Sequence, residues 1–196
     1  MGTWLSESLP ADRPLLLVAP SGGYCLSNSW LSQHRAPIHA VDWDPLAPSL
    51  FGRSHPGLRV SWHRLNVMEN GGAPLSALLQ ALPDASIVFC NFLGQAELAS
   101  PREYPSFAQG LQRTMEGRRW ASFHDRFSGP LWPISKGPFD SALSRASSEE
   151  LTQHFYRQAG ELNEHELPAL PEGIPYRYWM WELLPGFFHL IEGFAQ

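Results

Sequence analysis

Two hydrophobic rhythms alternate along this chain. PLLLVAP, PIHAV, LRVSW, SIVFC and RWASF are short apolar runs bounded by turn formers, the pattern of strands covered on both faces of a parallel sheet. Between them, apolar residues recur every three or four positions. Leu26, Trp30 and Leu31 follow the first run, and Leu46, Ala47, Leu50 and Phe51 follow the second, where Pro45 suits the first turn of a helix. Leu75, Leu78, Leu79 and Leu82 mark a third helix. Tyr104, Phe107, Ala108, Leu111 and Met115 share one face of a fourth, which Gly117 ends.

Past RWASF the rhythm breaks. HDRFSGP and the prolines at 130, 133 and 138 predict a loop. Ser147 with Glu150 is a capping-box pattern and predicts a helix over about 148–159. YRYWMWEL and FFHLIEGF flank Pro185 and Gly186 as an antiparallel hairpin. The expected fold is α/β: a Rossmann-like three-layer sandwich with a mostly parallel seven-stranded sheet, closed by that C-terminal antiparallel hairpin. A chain of 196 residues suits one domain, with 1–13 as a tail and 128–147 and 160–175 as irregular loops.

Charge narrows the partners. The formal net charge is -5, whereas nucleic-acid phosphates reward a broad basic surface, and the basic group Arg113, Arg118, Arg119 and Arg126 is interrupted by Glu116 and Asp125. Two cysteines, Cys25 and Cys90, cannot build a disulfide scaffold and show no metal-ligand spacing, so a cytoplasmic, reducing setting without a metal is expected. The run Leu15 to Ala19 is too short for a signal segment or a membrane span. The aromatic hairpin would offer a surface for a homo-oligomer if its outer face is exposed.

In open α/β sheets the ligand lies beyond the carboxyl ends of the strands. After the first strand come Ala19, Pro20, Ser21, Gly22 and Gly23, where small side chains let a ligand approach the backbone, although the same tripeptide also serves as a plain turn. After the second come Asp42, Trp43 and Asp44. A carboxylate about 20 residues beyond a glycine loop can bind ribose hydroxyls. Asp44 suits the cap of the next helix, which leaves Asp42 for the sugar and Trp43 as an apolar face for a base. Asn91 ends the fourth strand, where its amide could position an amine or hydroxyl or cap its own loop. His124 and Asp125 follow the fifth strand as candidates for a proton acceptor.

From about Leu15 to Gln95 the sequence resembles the class I S-adenosylmethionine-dependent methyltransferases. LVAPSGG stands where that family has its glycine-rich first motif, and AVDWDP resembles the second. LNVM, with Asn66 and Val67, occupies the place of the adenine-contacting turn. CNFLGQ resembles the fourth motif, and the terminal hairpin matches the family's last strands. The resemblance implies S-adenosylmethionine as cofactor, bound through Ser21, Gly22, Gly23, Asp42, Trp43, Asn66 and Val67. It places Asn91 toward the transferred methyl group. The loop after the fifth strand, with His124 and Asp125, borders that pocket, and the aromatic and proline content of the loops after Gln95 and Asp125, with few charges, points to a small-molecule substrate.

Leu17 stands where the family carries an acid, and Ala19 and Ser21 replace two of its glycines. A fold that has lost the cofactor and serves as a binding scaffold is therefore a second expectation. The phrase SGG with IHAVDWDP also resembles enzymes that transfer the aminocarboxypropyl part of the same cofactor. Neither the Gly-x-Gly-x-x-Gly of nicotinamide dehydrogenases nor the Gly-x-Ser-x-Gly of serine hydrolases occurs.

Overall fold

The computed structural model describes residues 2–130, 132–142, 144–156, 162–165 and 167–196. In chain order the elements are α1 (Gly2–Ser8), β1 (Leu15–Val18), α2 (Asn28–Gln33), β2 (Ile38–Asp42), α3 (Ala47–Ser54), β3 (Val60–Arg64), α4 (Glu69–Ala81), β4 (Ser86–Cys90), α5 (Ala96–Ala99), α6 (Tyr104–Met115), β5 (Trp120–Gly129), β6 (Phe139–Ser141), α7 (Ser148–Phe155), β7 (Asn163–Glu164), β8 (Tyr176–Leu184) and β9 (Phe187–Ala195). Strand order is β3-β2-β1-β4-β5-β9-β8-β6, with the short β7 paired to β5. The five strands from β3 to β5 run parallel, and β9, β8 and β6 continue the sheet antiparallel. This is the expected Rossmann-like sheet. The two additional strands are short, β6 at the edge and β7 off the main path.

Alternation along β1 explains the layers. Leu16 and Val18 face one core with Phe89, Phe107 and Trp120, while Leu15 and Leu17 face the other with Trp30, Val88 and Phe123. A parallel strand covered on both sides must be apolar at every position, which is why LLLV is a continuous run.

Three expectations are corrected. Residues 1–13 are not a plain tail: α1 inserts Trp4 and Leu5, with Leu9 just beyond it, into the second core, and burying Leu5 and Leu9 contributes about 1.5–3 kcal/mol each. HDRFSG is not a loop, because β5 runs on through it to Gly129 with every residue buried. Polar residues there obscured the strand: His124 pairs with Glu192 of β9, Arg126 with Glu164 of β7 and Ser128 with His165 just beyond it. The stretch 128–147 is likewise not wholly irregular, since β6 lies within it. In α7 the Ser147–Glu150 capping box is present. The helix ends at Phe155, and its expected extension over 157–159 lies outside the described residues.

Candidate functional site

Strand order reverses between β1 and β4, so a crevice opens beyond their carboxyl ends. Three non-glycine residues there adopt left-handed backbone: Ala19 (φ 52°) and Ser21 (φ 49°) after β1, and Asn91 (φ 51°) after β4. Each such residue costs about 1–2 kcal/mol relative to the right-handed region, and strain of this kind concentrates where a ligand dictates backbone shape.

Asp42 closes the β2 end of the crevice. Its Oδ2 accepts the Ser21 amide at 2.9 Å and its Oδ1 accepts the Asp44 amide at 3.0 Å. A carboxylate offers about four acceptor sites, so two remain for hydroxyl groups. Asp44 fixes the turn before α3 from its own side chain, which accepts the Leu46 amide at 2.8 Å, while α3 itself has no side-chain cap. Trp43 is 63% exposed, with the Arg64 guanidinium 5.6 Å from its ring centre, so one indole face lies at the crevice rim.

The glycines of the loop answer to the protein's own side chains. A Cβ on Gly22 would strike the Tyr24 ring, and one on Gly23 (φ 66°) would lie 2.5 Å from His55 Nε2 and 2.7 Å from the Phe51 ring. His55 Nε2 donates to the Gly23 carbonyl at 2.9 Å and anchors the turn to α3. Asn66 is held at both ends: its Oδ1 accepts the Met68 amide at 3.1 Å, and its Nδ2 donates to Glu103 at 3.1 Å. The side chain of Val67 is buried in the first core, leaving only its backbone for a ligand.

Leu17 is fully buried between Ala40 and Val88 of the flanking strands. The chemistry of the residues present is compatible with the nucleoside half of S-adenosylmethionine: the Asp42 carboxylate has acceptor capacity for hydroxyl groups, and the Trp43 ring is exposed. The acid expected in β1 has no counterpart there.

At the β5 end the adjacent pair His124 and Asp125 separates, because neighbouring residues of a strand face opposite sides. His124 does not border the crevice. It is fully buried, with Nε2 3.0 Å from Glu192 Oε1 and Nδ1 2.9 Å from Ser122 Oγ, and Arg145 grips Glu192 at 2.8 and 2.9 Å. Burial pushes the Glu192 carboxyl up, but His124 and Arg145 outweigh it and hold it below its ordinary value.

Asp125 faces the crevice side. Asn91 Oδ1 accepts its amide at 3.0 Å and Asn91 Nδ2 donates to its Oδ2 at 3.4 Å, while Gln95 also donates to Oδ2. The Asp125 carbonyl occupies the place where a side chain on Gly94 would begin, so CNFLGQ needs its glycine for β4's exit to lie flat on β5. Burial raises the Asp125 carboxyl, yet His189, Gln95 and His165 together hold it below the usual range. On the glycine-loop side, burial and Asp125 push the Cys25 thiol up to about 11, and burial with the nearby Cys25 and Asp42 pushes Cys90 well up. Both cysteines are free thiols held protonated.

One residue of this end escaped the sequence reading. His189 of β9 has Nδ1 3.2 Å from Asp125 Oδ2. Its signal was the polar residue in FFHLIEGF opposite Ser128, which is recognisable only once the β5–β9 register is known. Among the described residues no helix is long and apolar enough to cross a membrane.

No family model matches the sequence, and no curated protein matches it. Several solved structures are similar. A SAM-dependent methyltransferase from Anabaena variabilis is 13% identical over 93% of this chain and 77% of its own, with a TM-score of 0.47. The 1,6-didemethyltoxoflavin-N1-methyltransferase of Burkholderia thailandensis, with bound 1,6-didemethyltoxoflavin and S-adenosylhomocysteine, is 15% identical over 98% and 80%, with a TM-score of 0.42. A functionally unknown protein from Deinococcus radiodurans R1 is 16% identical over 97% and 83%, with a TM-score of 0.39. By its own strand order the chain has a Rossmann-like fold, five parallel strands closed by an antiparallel hairpin.

Proposed function

We propose that the protein is an S-adenosylmethionine-dependent methyltransferase acting on a small molecule in the cytoplasm. One observation carries this reading: the strained turn after β1 and the carboxylate ending β2 are joined by the 2.9 Å bond from the Ser21 amide to Asp42, beside the point where strand order reverses. A carboxylate so placed can hold both ribose hydroxyls, with the exposed face of Trp43 against the adenine. The backbone of Ser21 to Gly23 and of the Asn66–Val67 turn would border the cofactor, and Asn91 would stand nearest the methyl group.

When bound, the cofactor supplies an electrophilic methyl on a sulfonium centre. The chain's part is to align an acceptor with it, and alignment alone can supply about 7–11 kcal/mol of the barrier. Asn91 contributes to that alignment because its amide is fixed from two sides by Asp125.

A second reading, a scaffold that keeps the fold without the cofactor, is favoured by Leu17, whose buried place in β1 leaves the ammonium end without its expected acid. Calorimetric titration separates the two. Saturable heat with S-adenosylmethionine and S-adenosylhomocysteine supports the enzyme, and no heat at millimolar ligand with folded protein supports the scaffold. Product analysis tells methyl transfer from aminocarboxypropyl transfer, which leaves methylthioadenosine instead of S-adenosylhomocysteine.

A further inference from the structure

The end of β5 holds polar atoms whose partners are missing. In a buried setting nearly every polar atom finds a hydrogen bond, so an orphan points to a group that the protein receives from outside. Among the described residues Asp125 Oδ1 has no hydrogen-bond partner, and neither has His189 Nε2. Asp125 is fully buried and His189 is 9% exposed. The two residues meet through their other atoms, His189 Nδ1 lying 3.2 Å from Asp125 Oδ2 without the alignment of a hydrogen bond. Such contacts commonly tighten only when substrate is present.

The surroundings fix what could satisfy these orphans. A neutral imidazole that carries its proton on Nδ1 offers Nε2 as an acceptor, and Asp125 Oδ1 is an acceptor as well. Both call for a donor, an O–H or N–H. Around the imidazole stand the Trp181 ring at 6.2 Å and the Phe187 ring at 5.4 Å, which suit an apolar body behind that donor. Both rings are half-buried and lie in the hairpin that carries the exposed Leu183 and Leu184.

Of the charged and titratable groups, Asp125 faces His189 from β5. His165 comes from the segment beyond β7, with Nε2 3.0 Å from Ser128 Oγ, the residue opposite His189 on β5. Cys25 stands on the glycine-loop side of Asp125, its thiol held protonated. Asp125 is thus the nearest anion.

Resting on the methyltransferase reading, we infer that His189 is the catalytic base, oriented by Asp125, for substrates whose accepting atom is a hydroxyl or amine on an apolar body. In the step, a lone pair of the substrate oxygen or nitrogen forms a bond to the methyl carbon. The carbon–sulfur bond breaks with its electron pair going to sulfur, and the substrate proton passes to His189 Nε2. Asp125 stabilises the resulting imidazolium and acts as the positioning residue.

The test uses the full chain with S-adenosylmethionine and three acceptors, catechol, phenol and 2-phenylethylamine. The expected result is methylation of at least one by the wild type, with kcat reduced at least 100-fold in His189→Gln. Cofactor affinity by calorimetry should stay within twofold and the circular dichroism spectrum unchanged. Asp125→Asn, a second variant of nearly the same shape, should lower kcat about tenfold while the acceptor KM stays within twofold. Undiminished transfer by His189→Gln overturns the assignment. So does a wild type that binds cofactor and methylates none of the three, which leaves the methyltransferase reading intact. Absence of cofactor binding in the wild type overturns that reading, and this inference with it.

Discussion

The two ends of the crevice are built on opposite plans. At the β1–β2 end the polar groups are open to solvent and paired locally: Asp42 accepts two backbone amides and Asp44 a third, on turns that the adjacent strands bring together. At the β5–β9 end they are buried and paired across long sequence distances, His124 with Glu192 68 residues away and Asn91 with Asp125 34 residues away. The first plan leaves spare acceptor capacity where a nucleoside could bind. The second suspends charge in a medium where any missing partner is costly, and leaves orphaned atoms beside a buried histidine.

Breaking the second plan should have the largest effect. Glu192→Ala removes a fully buried carboxylate from between His124 and Arg145, and stranding a buried charge costs about 3–5 kcal/mol. Urea unfolding should show that loss, whereas Asp44→Ala at the exposed end should cost only about 0.5–2 kcal/mol as a lost hydrogen bond in that turn. Equal losses would erase the contrast.

Gly94→Ala comes next. Its Cβ would meet the Asp125 backbone, so separation of the β4 exit from β5 should cost about 1–3 kcal/mol and lower transfer activity while sparing cofactor affinity. Asp42→Ala should do the reverse. It should weaken S-adenosylhomocysteine about 10- to 100-fold, the value of one or two charge-assisted hydrogen bonds at roughly 1.4–2.8 kcal/mol, with less effect on stability. Calorimetry and melting of both variants check the pair.

Acidification should act first through histidines held below their ordinary value by burial, His34 and His39 as well as His165 at the β5–β9 end. Burial, outweighing the nearby Asp125, holds His165 below its ordinary 6.5. The unfolded chain therefore binds the proton more readily, and the stability His165 contributes, full above pH 6.5, declines as pH falls through its lowered value. Asp125 and Glu192, both held below their ordinary values, contribute stability present above the normal carboxyl range and lost as pH falls through theirs. Urea midpoints should fall in two stages, and His165→Gln should reduce the upper one, to which His34 and His39 also contribute. The smallest effect is expected at Ala19→Gly, where relief of the left-handed φ of 52° should offset the extra chain entropy and change stability by under about 1 kcal/mol. A loss above 2 kcal/mol would mean that the methyl group, and not the backbone shape, matters there.

The same contrast decides what the sequence could disclose. The β1–β2 end was legible because its parts lie in turns directly after two paired strands, so LVAPSGG and AVDWDP carry their geometry in local order. The parallel core was legible for the same reason, each covered strand being an unbroken apolar run. At the β5 end HDRFSG reads as a loop, because residues buried there are polar and their partners stand on β9, on β7 and just beyond it. Seen as a strand, the segment would have split His124 from Asp125 by simple alternation. His189 was hidden more deeply: its meeting with Asp125 depends on the hairpin register and on the irregularity between Asp125 and Phe127, neither of which is written in local pattern. The glycines at 22 and 23 were read as room for a ligand, yet Phe51 and His55 already require the one at 23.

The central claim is that Asp42 and the turn after β1 form a nucleoside pocket, and a crystal structure of the protein soaked with S-adenosylhomocysteine tests it most directly. The account predicts both ribose hydroxyls within hydrogen-bond distance of Asp42 and the adenine against Trp43. A nucleoside bound elsewhere, or an Asp42 that touches only Ser21 and Asp44 in crystals grown at saturating ligand, would contradict it.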